Sequence, residues 1–145
     1  MTPETFLQGR LEGFGVVRTA VGAVTRRFSI EMEGIWSEEH RALHLDETYA
    51  YVDGSVHHRR WAIHSDAQGA IIGHDALEAA RLRGRQVGTD FELHFDRLAH
   101  PGPKLRGPSQ IVRFHAVSPG RALLIGRVRR FGLTLGGFQA ALWKL

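Results

Sequence analysis

The chain has 145 residues, 43% apolar and 23% charged, with a formal charge of +4 and no cysteine. That length suits a single domain over residues 1–145 with a real core, and that balance excludes an intrinsically disordered chain. The missing cysteine excludes disulfides, thiolate catalysis, Cys-based zinc sites and an acylated N-terminal cysteine.

The N-terminal run MTPETFLQGR has no basic start followed by an apolar stretch, so it does not read as a signal peptide. No segment approaches the length of apolar chain that crosses a bilayer as a helix. A cytoplasmic location is therefore expected, with envelope association as the alternative. Seventeen of the nineteen basic residues are Arg, whose planar guanidinium suits partly buried sites and bidentate anionic partners better than Lys does.

The first predicted strand runs from Phe6 to Arg18 through Gly13-Phe14-Gly15, and a turn follows at Gly22. Next, Phe28, Ile30 and Met32 alternate with Arg27, Ser29, Glu31 and Glu33, the period of two of a strand with one buried face. Residues Leu43 to Ile63 spell a β-hairpin, because two alternating runs flank Asp53-Gly54, a dipeptide that tolerates positive φ. Period two puts Leu43, Leu45, Glu47, Tyr49 and Tyr51 on one inward face, and Arg59, Trp61 and Ile63 on the facing one. After Gly69, the stretch Asp75 to Arg85 reads as strand, with a helical turn as the alternative. Phe91, Leu93 and Phe95 then alternate with Asp90, Glu92, His94 and Asp96. Residues 99–108, rich in Pro and Gly, predict a long loop. After Pro119-Gly120 and Gly136-Gly137, the last run, Leu133 to Leu145, is expected to close against the first. Glycines inside strand runs (Gly9, Gly73, Gly88, Gly126 and Gly136) suit strongly bent strands.

Many strands with regular turn signals predict an all-β fold, a single antiparallel barrel of about eight to ten strands, since closure removes exposed edges. The pattern also resembles a bacterial family, domain of unknown function 3833. The residues carrying the resemblance are Gly9; Gly13-Phe14-Gly15; Arg26-Arg27-Phe28; Gly34 with Trp36; Leu45, Glu47 and Tyr51 before Asp53-Gly54; Arg59 with Trp61 and Ile63; Arg130-Phe131-Gly132; Gly136; and Trp143-Lys144. The resemblance implies a lipocalin-like barrel and brings no catalytic residues. Members of the family are often lipoproteins, whereas this chain lacks a cysteine to acylate.

One cluster on the inward faces invites chemistry: Arg26, Glu47, Tyr49, Tyr51, Arg59 and Trp61. A carboxylate buried alone is costly, so Glu47 is expected to pair with Arg59 across the hairpin. As a ligand site, one arginine neutralises Glu47 and the other is left for an anionic head group. As a structural site, the same pair simply closes one end of the barrel.

The nine histidines do not fall at metal-ligand spacing. His57 and His58 are neighbours in a strand and face opposite sides, and His40 and His44 would need a helix to converge. Glu92, His94 and Asp96 share a face expected to be solvated. No metal or other cofactor is expected. The Arg pairs do not form a single stripe along strands, so no nucleic-acid surface is expected. No serine lies in a nucleophile elbow and no glycine run has the frame of a phosphate loop, so nothing reads as an enzyme. The expected function is non-enzymatic binding of a small amphipathic or anionic ligand such as a fatty acid or lipid. Phe28, Ile30, Met32, Tyr49, Tyr51, Trp61 and Ile63 would line the cavity, with Arg26 and Arg59 at the head group. The alternative is a structural or interaction module with a packed barrel, whose Arg127, Arg129 and Arg130 meet a protein or an acidic membrane surface.

Overall fold

A computed structural model describes residues 1–75, 81–96 and 109–145. A short helix, α1 (Pro3–Phe6), precedes ten strands: β1 (Gly9–Thr19), β2 (Val24–Ser37), β3 (Ala42–Tyr51), β4 (Val56–Ser65), β5 (Ala70–Asp75), β6 (Arg81–Val87), β7 (Asp90–Phe95), β8 (Ser109–Ser118), β9 (Arg121–Arg130) and β10 (Leu133–Lys144). Each pairs antiparallel with the next, and β10 returns to β1 in register from Leu11–Lys144 to Thr19–Gly136, closing the barrel. The all-β barrel and its closure by the two terminal runs follow the sequence pattern. Asp75 and Arg81 are both in strands, while residues 76–80, between them, and the predicted loop at 99–108 lie outside the described residues.

The up-and-down order fixes which turns share an end. The β2–β3, β4–β5, β6–β7 and β8–β9 turns lie at the α1 end, and the β1–β2, β3–β4 and β9–β10 turns lie at the other, here called the mouth. Helix α1 was not foreseen in the sequence. Thr2 caps it by accepting from the Thr5 amide, while the Thr5 hydroxyl donates back to the Thr2 carbonyl, and Pro3 occupies the first turn. Phe6 and Leu7 are buried against the core, and Lys144 Nζ donates to the Thr5 carbonyl at 2.7 Å, tying the helix to the last strand.

Two glycines matter through close approach. A Cβ at Gly34 would overlap the Leu7 carbonyl, so this position must stay bare for α1 to plug its end. A Cβ at Gly126 would enter the Phe138 ring, which lies over β9 and meets Phe28 edge-on at 6.2 Å. The inward set predicted on β2, β3 and β4 is the buried set: Phe28, Ile30, Met32, Leu43, Leu45, Tyr49, Tyr51, Trp61 and Ile63 are all core residues.

Candidate functional site

The predicted cluster divides into two groups at different depths. At the mouth, Arg26 lies over the Tyr51 ring, its guanidinium carbon 3.5 Å from the ring centroid. Its Nη2 donates to Ser55 Oγ at 2.9 Å and reaches Asp53 at 3.5 Å, so the β3–β4 turn holds it. The Ser55 hydroxyl and amide hold the Asp53 carboxyl below the usual carboxylate range, with a smaller contribution from Arg26. Burial pushes the Tyr51 phenol up to about 12, against the opposing charge of Arg26.

Deeper in the barrel, the register places Glu47 directly opposite Arg59, as the hairpin requires. The expected ion pair between them is not what forms. Arg59 Nη1 donates instead to Asp75 Oδ2 on β5 at 2.8 Å, with side chains 2% and 0% exposed. A short link to a carboxylate on the other neighbouring strand leaves Glu47 to find uncharged partners. Tyr49 donates its hydroxyl to Glu47 at 3.0 Å, and the Trp61 indole adds a weaker favourable contact. Burial raises the Glu47 carboxyl to about 7, only partly offset by Tyr49 and the Arg59 charge, and Asp75 nearby raises it further. Burial, followed by the Glu47 charge, raises the Tyr49 phenol well above its ordinary range.

Below this polar layer is an interior cavity of about 30 Å³, bounded by Glu47, Tyr49, Trp61 and Gln110 among apolar side chains from most of the strands. Such a space holds about two water molecules. Glu47 is half-buried because it borders this void. Of the residues expected to line a cavity, Met32, Tyr49, Trp61 and Ile63 do so, whereas Phe28, Ile30 and Tyr51 do not; the Phe28 ring packs on Tyr49 and Tyr51. Neither Arg26 nor Arg59 borders this cavity, although the charges of both reach the Tyr51 phenol.

Asp75 and Gln110 were missed in the sequence. Asp75 sat at the edge of a stretch with helical composition, and only its place two residues after Gly73 on β5 turns it inward with Ile71. Gln110 begins the inward series Gln110, Val112, Phe114 on β8, a period-two signal that was there to be read. The His40 and His44 rings do converge, with centroids 5.7 Å apart, without a helix, because the turn after β2 folds back through Arg41 at φ 47°. Among the described residues no three metal-ligating side chains gather. His94 donates its Nε2 hydrogen to the Glu92 carboxylate at 2.7 Å, and this contact is the main reason the Glu92 carboxyl is lowered.

The chain belongs to the family described as "Protein of unknown function (DUF3833)", whose profile matches residues 1–144. No curated protein matches it in sequence. Its fold is similar to that of the S-type phycobiliprotein lyase CPES from Guillardia theta, with a TM-score of 0.67 at 10% identity, covering 100% of this chain and 93% of that one. It is also similar to Rv2717c from M. tuberculosis, with a TM-score of 0.62 at 13% identity, covering 97% and 94% of the two chains. At these identities the likeness establishes a lipocalin-like barrel and nothing of its ligand.

Proposed function

We propose that this DUF3833 protein is a non-enzymatic binder of a small amphipathic ligand, held in the barrel interior with its polar end at the Glu47, Tyr49, Arg59 and Asp75 layer. The observation that carries this reading is a titratable carboxyl, that of Glu47, bordering an interior void with a phenol and not the buried arginine opposite it as its close partner. A core built only for stability gains nothing from such a group, because burying it without an ion pair is unfavourable. The order of layers supports an apolar body pointing towards α1 and a polar end towards the mouth. The likeness to a phycobiliprotein lyase adds the scaffold, not the ligand.

A fatty acid is a long-chain variant of this reading, with its head group at the mouth and not at the Glu47 layer. It would require interior side chains to move, since the cavity is about 30 Å³. Its carboxylate would be best met at Arg26, because Arg59 already serves Asp75. The smallness of the cavity favours a second reading, a packed barrel that acts as a structural or interaction module. Native mass spectrometry of protein purified from its source, with displacement of a fluorescent fatty-acid probe, separates the two. A bound small molecule, or saturable displacement weakened by Glu47→Gln, supports the binder. Neither bound molecule nor displacement overturns it and leaves the packed module.

A further inference from the structure

Three successive hairpins of the barrel, β9–β10, β1–β2 and β3–β4, bring their turns to the mouth side by side. Each ends in an exposed apolar side chain: Phe131 is 89% exposed, Val21 92% and Val52 80%, and Leu133 stands beside Phe131. Around them lie Arg18, Arg26, Arg27, Arg127, Arg129 and Arg130. Among the described residues of these strands and turns, Asp53 is the acid at this rim. Their other outward-facing acids, half-buried Glu12 and exposed Glu31, Glu33 and Asp46, sit mid-barrel or towards the α1 end. Among the described residues of these strands and turns, the rim is thus predominantly basic.

The tip of β9–β10 carries a second signal. Phe131 has φ 51° and Gly132 φ 76°, the paired positive values of a tight hairpin turn. Asn or Asp ordinarily fills the first of these positions, and a bulky aromatic there is strained. The strain is not repaid by burial, since the ring projects into solvent with the Arg130 guanidinium 5.2 Å from its centroid. Backbone strain of this kind is held where function uses the side chain.

We propose that the mouth rim is a docking surface for an anionic lipid membrane, with Phe131, Leu133, Val21 and Val52 entering the headgroup boundary and the arginines meeting acidic headgroups. Charge complementarity selects the occupant. A basic rim repels a second copy of itself, while the turns' apolar tips have no use in binding the backbone of a nucleic acid. An aromatic with neighbouring arginines is the combination that an interface between headgroup and acyl chain rewards. This surface does not depend on what the barrel interior holds.

The test is co-sedimentation of the full chain with vesicles of phosphatidylcholine alone, and of phosphatidylcholine and phosphatidylglycerol in about equal parts. Binding is expected to the mixed vesicles and not to the neutral ones, weakening as salt rises. Arg129→Glu with Arg130→Glu should lower partitioning roughly tenfold or more. Phe131→Asn should also lower it several-fold while raising the melting temperature, since the turn is relieved. That opposite movement separates a docking role from loss of fold. Equal partitioning to both vesicle types overturns the proposal. So does an unchanged partition for Phe131→Asn alongside a large loss for the arginine variant, which would mark a generic polyanion surface able to take nucleic acid equally well.

Discussion

Arg59 on β4 gives its Nη1 hydrogen bond to Asp75 on β5 at 2.8 Å, although Glu47 is its direct partner across the β3–β4 ladder. One buried cation thus stands between two acids on opposite sides and makes its close ion pair with the fully buried one. The consequence for mutation is specific. Arg59→Ala should destabilise the fold by about 3–5 kcal/mol, because it leaves the Asp75 carboxyl buried without this partner. Arg59→Met with Asp75→Leu should recover much of that loss, since replacing both members of a buried pair is far milder than removing one. Urea melts of the single and double variants check this. A melt of Arg59→Ala close to that of the unmodified chain would mean that the pair contributes little.

Glu47 should make stability fall as pH rises from about 4.5 to about 7. Its folded value, about 7, lies above the ordinary 4.5, so the folded state binds the proton more tightly across that window. Stability is therefore greatest while the group is protonated in both states, and declines until the folded carboxyl has ionised. Glu47→Gln should leave stability nearly unchanged near pH 4 and raise it by on the order of 2 kcal/mol at pH 8. Denaturant melts at the two pH values measure this. An equal effect of the substitution at both would place the ionisation elsewhere.

Gly126→Ala should be destabilising by about 1–3 kcal/mol, because the added methyl enters the space of the Phe138 ring. Adding Phe138→Leu should relieve the clash, so that the double variant loses less than the two single losses combined. Thermal melts of the three proteins form the cycle.

Leu7→Ala should cost about 2–5 kcal/mol and enlarge the interior void, since Leu7 is 1% exposed and borders it. The enlarged space is apolar on that side, so a small apolar probe should bind the variant more tightly than the unmodified chain. Titration of a fluorescent probe against both proteins reads this directly. Equal binding would place the accessible space away from the α1 plug.

The sequence by itself determined the barrel. Alternation of Phe28, Ile30 and Met32, the Asp53-Gly54 turn, and matched runs at the two ends are local signals, each set by which side of a pleated strand meets water. They also put Glu47, Tyr49, Arg59 and Trp61 inside, and the structure holds them there. What only the tertiary structure decided was which polar groups meet. A hairpin register names the residue opposite, but a closed barrel gives each inward side chain a neighbour on its other flank and others across the interior. Arg59 turned to that other flank because Asp75 stands there. The small size of the void was equally hidden, because it depends on how rings and branched side chains from most of the strands fill one shared volume. The basic rim joins both kinds of information: the Arg positions are plain in the chain, but only the up-and-down closure gathers Phe131, Val21 and Val52 at one end.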